Sequence, residues 1–144
     1  MRLARIFTSS LFAALALVPA TACGRSEKAS DCERLVPAVR EKSDELHTAL
    51  SNVQPDPTSM DARAKVLEAS AALIAAMPMK DTMTKSYATQ YQATLLSGAK
   101  LIRDLGSANP DPVALATTSK LQASSAGYLL EEAKLVGAIT EYCH

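Results

Sequence analysis

Prolines divide this chain into segments of helical length, and that division limits the folds open to it more than any other feature. The breaks are Gln54-Pro55-Asp56-Pro57, Met77-Pro78-Met79 and Asn109-Pro110-Asp111-Pro112. Asp is a favoured N-cap, Pro suits the first helical position because its N–H would be unpaired there anyway, and the residue before a Pro is pushed out of the helical region. Between the breaks, apolar residues recur at spacings of three and four, as in helices that bury one face. The first stripe is Cys32, Leu35/Val36, Val39, Leu46, Leu50 and Val53, with Ser43 filling one step. The second is Met60, Ala64, Leu67, Ala71, Ile74 and Met77; the third is Thr84, Tyr87, Tyr91, Leu95, Gly98, Ile102 and Leu105. Leu121, Ser125, Tyr128, Leu135/Val136, Ile139 and Cys143 form the fourth.

Helices joined by short connections pack as antiparallel neighbours, so the expected fold is all-α, an up-down-up-down four-helix bundle. A three-helix bundle with an extra arm is the alternative. Ser30-Asp31-Cys32-Glu33 has capping-box spacing and predicts the start of the first helix. Pro37 lies past the first turn and predicts a kink or a later start. Asp81 or Thr82 is expected to cap the third helix, Gly106 to take a left-handed conformation just past its end, and Gly127 to bend the fourth. The Pro-Asp-Pro device recurs from Pro55 to Pro110, and at the same offset Lys65 falls on Lys120, Ser70 on Ser125, Ala71 on Ala126, Leu46 on Leu101 and Leu50 on Leu105. Two tandem helical hairpins would leave this pattern.

The N-terminal stretch follows a different logic. Arg2 and Arg5 precede an apolar run from Ile6 to Val18, which ends in the small residues Ala20-Thr21-Ala22. This is the layout of a secretory signal peptide, and the run is short of the ~20 residues that span a bilayer. Ala20-Thr21-Ala22-Cys23-Gly24 resembles the lipobox of bacterial lipoproteins. That resemblance implies acylation of Cys23 as the mature N-terminus, a membrane anchor through the lipid, and a place in the cell envelope. Gly24 stands where the family's inner-membrane members in enteric bacteria carry Asp, which favours the outer membrane facing the periplasm. The expected organisation is a signal peptide over 1–22, the lipidated cysteine and a polar tether over 23–30, and the bundle over 31–144.

Removing 22 of the 144 residues leaves 122, enough for one domain with a core. Arg2 and Arg5 go with the signal, so 13 of the 15 basic residues face 15 acidic ones, and no basic surplus remains to hold nucleic acid. With Cys23 lipidated, Cys32 and Cys143 remain as a pair. In an up-down-up-down bundle the start of the first helix and the end of the fourth meet at one end, and an exported small domain favours a disulfide there.

The other chemical readings are weaker. Met77, Met79 and Met83 with His144 form a soft donor set suited to Cu(I), which makes an envelope copper-binding protein one alternative. Ser43, Ala71, Gly98 and Ser125 sit near the middle of their stripes and suggest a second, a small-ligand carrier with a central cavity. Tyr142-Cys143-His144 ends like a c-type haem attachment motif, but Thr140 occupies the place of its first cysteine. No nucleophile motif, phosphate loop or zinc pattern is present, and Glu131-Glu132 and His47 are expected on solvated faces. The reading is therefore a non-enzymatic binding or scaffolding module with an envelope protein as partner and no cofactor.

Overall fold

The computed structural model describes residues 21–51, 56–107 and 112–144, with side-chain detail over 25–51, 56–107 and 123–144. The signal segment, the side chain of Cys23, Val53, the second Pro-Asp-Pro break and Leu121 lie outside what is described. Four helices follow one another: α1 (Thr21–Ser51), α2 (Pro57–Ala75), α3 (Thr82–Gly106) and α4 (Pro112–Cys143). There is no strand among the described residues.

Contacts between helix ends give the expected up-down-up-down order. The backbone N–H groups at the start of α3 reach Asp31 near the start of α1, and Cys143 at the end of α4 is bonded to Cys32. At the opposite end, Arg63 of α2 donates to the Ala49 carbonyl of α1, and Gly106 of α3 lies against Met60 and Pro57 of α2. The apolar stripes meet inside. Leu35, Val39, Leu46, Met60, Leu67, Ile74, Tyr91, Leu95, Ile102 and Ile139 are all essentially inaccessible to solvent. Each such side chain contributes about 1.5–3 kcal/mol of burial free energy, and this common core holds helices whose individual propensities would not suffice.

Several local expectations are corrected. Ser30 does not start a helix: α1 is already helical from Thr21, so residues 25–30 form its early turns and not a separate tether. Asp31 makes its hydrogen bonds to the start of α3. α1 also continues through Pro37, so the later start is excluded. Proline leaves the Glu33 carbonyl without its helical donor, but both residues are exposed, so that carbonyl is open to solvent. α2 ends at Ala75, before Met77, which packs partly buried against the core from the turn.

Asp56 caps α2 with its carboxylate on the N–H groups of Thr58 and Ser59, and Asp81 caps α3. Gly106 is the last residue of α3, and no described glycine has a positive φ. Its lack of a side chain serves a close approach, since a Cβ there would lie 2.5 Å from Met60 Cβ. A Cβ on Gly127 would meet nothing within 4 Å, so packing does not demand glycine there. The proposed hairpin repeat is only partly echoed in burial: Leu50 and Leu105 are both buried, whereas Ala71 is buried and Ala126 exposed.

Candidate functional site

The end of the bundle that holds the disulfide is tied by polar groups as well as by sulfur. Cys32 and Cys143 are bonded across 111 positions, with Cα atoms 5.5 Å apart. Next to Cys32 in the chain, the fully buried Asp31 accepts the backbone N–H groups of Lys80 (2.6 Å) and Asp81 (2.7 Å) on one oxygen and Arg34 (2.5 Å) on the other. An α1 carboxylate thus pairs the two backbone N–H groups just ahead of α3, while Asp81 itself caps the helix. Asp81 accepts the Thr84 N–H and hydroxyl, each at 2.8 Å, and the Tyr142 hydroxyl at 3.0 Å. Tyr142 also packs against Tyr87, with Lys28 above its ring.

Burial alone would raise the Asp31 carboxyl, but the Asp81 and Lys80 N–H groups with Arg34 overcome it and hold the group below its ordinary value of 3.8. A depressed native pKa stabilises the fold above that ordinary value, and the contribution is lost as pH falls through the native one. Asp31→Asn is therefore expected to lower stability by about 1–3 kcal/mol at neutral pH, through loss of the charged acceptor. In thermal melts, the gap between variant and wild type should close below about pH 4. A gap that persists unchanged into acid would reject this role.

A second polar cluster lies in the middle of the bundle, where the periodicity had left only apolar and small residues. Glu132, expected on a solvated face, is buried. One of its oxygens is 3.1 Å from the Tyr91 hydroxyl and the other 3.2 Å from His47 Nε2, which donates when it carries the proton. The Tyr91 hydroxyl is also 3.1 Å from the Val39 carbonyl, so its single proton serves either acceptor. Tyr128 donates to the Thr94 carbonyl, passing over Gly98, where a Cβ would lie 2.8 Å from both Leu46 Cδ1 and the Tyr128 oxygen. Burial first, and the Glu132 charge second, push the Tyr91 and Tyr128 hydroxyls well above the ordinary tyrosine value. The signal for Glu132 was present: it stands four residues after Tyr128 and four before Val136, on the α4 stripe itself. The layer read as a possible cavity is occupied at Gly98 by Leu46 and Tyr128.

Met77 and Met79 line a cleft with Ile74, Lys85 and Ala88, whereas His144 lines another beside Cys32 and Thr140. Met83 is about half exposed. The four residues of the copper reading are thus shared among different surfaces. Among the described residues, no group of three or more His, Cys, Asp or Glu side chains is placed to hold a metal ion.

Among the described residues, an open surface groove lies along α1 and α2. A groove of about 580 Å³ runs between them, with Ala49, Val66 and Leu67 as its apolar lining and Glu41, Asp44 and Glu45 along α1. Beside it, Ala62, Val66, Ala69, Leu73 and Ala76 share one face of α2 and its C-cap, and all are exposed, Val66 to 53% and Leu73 to 59%. Exposed aliphatic residues are normal singly, but a helix face that groups them, here edged by the exposed Lys65, is a candidate interaction surface. The sequence pattern hides this face, because a buried face and a second, exposed apolar face on one alanine-rich helix blur each other's periodicity.

Comparison with protein-family models, with curated proteins and with solved structures finds no match to this chain.

Proposed function

We propose that this protein is an exported lipoprotein whose disulfide-closed bundle acts as a binding or scaffolding module at the cell envelope, through the exposed face of α2 and the groove beside it. The Cys32–Cys143 bridge carries the export part of this reading, since such a staple persists in oxidising compartments and is rare in the cytosol. The lipobox-like Ala20-Thr21-Ala22-Cys23 adds the anchor. The proposed attachment is the acyl group on Cys23; among the described residues no helix is long and apolar enough to cross a membrane. The outer membrane, facing the periplasm, is the proposed site, and the role assigned is binding, with no catalytic step.

The anchor is tested by fractionation. Wild-type protein is expected in the membrane fraction, and Cys23→Ser is expected to move it to the soluble fraction. Wild type already soluble after ordinary lysis would overturn the lipoprotein reading.

A further inference from the structure

Resting on the binding-module reading, we infer that the α1–α2 groove receives a cationic amphipathic helix of an envelope protein partner. The groove presents two chemistries side by side. Its lining and the adjoining α2 face are aliphatic, from Ala62 through Val66, Ala69 and Leu73 to Ala76. Its α1 wall carries Glu41, Asp44 and Glu45. Lys42 lies behind that wall, its side chain only 12% exposed, and donates to Glu41 and Glu45 at 2.9 and 2.7 Å. Arg63 stands at the far end, with a guanidinium nitrogen on the Ala49 carbonyl. Three carboxylates against these two cations leave the groove negative, and the Glu41 side chain, 68% exposed, faces outward.

Length selects the occupant. The apolar strip covers 14 residue steps, about 21 Å at 1.5 Å per residue, which is longer than a compact small molecule and matches about four turns of helix. An amphipathic helix laid in a groove buries an apolar face and sets its flanking charges against the rim. The rim here is acidic, so the flanking charges are basic. Complementary charge also disfavours partners of the wrong sign and sets the register of the right one.

The probe is a synthetic helix of about four turns with a leucine face and lysine flanks, titrated against the oxidised protein carrying Cys23→Ser, so that no detergent is needed. Expected results are saturable one-to-one binding, at least tenfold weaker binding by Val66→Asp and by the double variant Glu41→Lys, Asp44→Lys, and unchanged binding by Leu130→Asp. Leu130 is the control because it is an equally exposed leucine, at 59%, on α4. All these positions are exposed, and a melt of each variant checks that the fold is kept. Four results would overturn the inference: no binding, equal loss in Leu130→Asp, equal affinity for a peptide with glutamate flanks, or a self-dimer abolished by Val66→Asp, which would make the occupant a second copy. Fractionation of Cys23→Ser fails or succeeds independently, so loss of the anchor reading and loss of the groove reading are told apart.

Discussion

Reducing the bridge between Cys32 and Cys143 is expected to lower the stability of the fold by about 2–4 kcal/mol. The bond closes a loop of 111 positions, and the chain-entropy model assigns about 4.7 kcal/mol to a loop near 100 residues, with measured values commonly about 2–4 kcal/mol. That is a large share of the stability of a small domain, typically about 5–15 kcal/mol. Melts of the reduced protein and of the Cys32→Ala, Cys143→Ala double variant should agree with each other and fall well below the melt of the oxidised protein. The sulfur atoms join the first and last helices, so α4 should lose amide protection first in hydrogen exchange after reduction. Two titratable thiols in protein prepared under oxidising conditions would reject the bridge.

Tyr91 is expected to be the most costly single side chain to remove. It is fully buried, packs in the common core, and holds both the Glu132 carboxylate and the Val39 carbonyl within hydrogen-bond distance. Tyr91→Ala should cost about 3–5 kcal/mol, as large aromatic truncations in cores do. Tyr91→Phe keeps the ring and isolates the hydroxyl, and about 1–3 kcal/mol is expected for leaving a buried carboxylate short of a donor. Adding Glu132→Leu to Tyr91→Phe should recover much of that loss, because the group left without a donor is then gone. Denaturant unfolding of wild type, Tyr91→Phe, Glu132→Leu and the double variant measures the coupling. Additive effects would show that the hydroxyl and the carboxylate do not act together.

The fold class was legible from the amino-acid order because two local rules agreed along the described chain. Proline breaks set the lengths, and spacings of three and four set the buried faces, so Leu35, Leu46, Leu67, Leu95 and Ile139 were placed correctly inside. The disulfide followed from topology, since an even number of antiparallel helices returns the last end to the first. Helix ends were less legible: a capping box at Ser30 and a glycine at Gly106 are local motifs, but α1 is already helical ahead of Ser30, and Gly106 serves a close approach to Met60 of α2. Tertiary structure alone decided that Asp31 would take the backbone N–H groups just ahead of α3, that Tyr91 and His47 would be the partners of Glu132, and that α2 would keep an exposed apolar face beside an acidic wall on α1. The physical reason is range. Backbone preference and hydrophobic period act over a few residues and can be read in order, whereas the partner of a buried charge lies 41 to 85 positions away and exists only once the helices have packed.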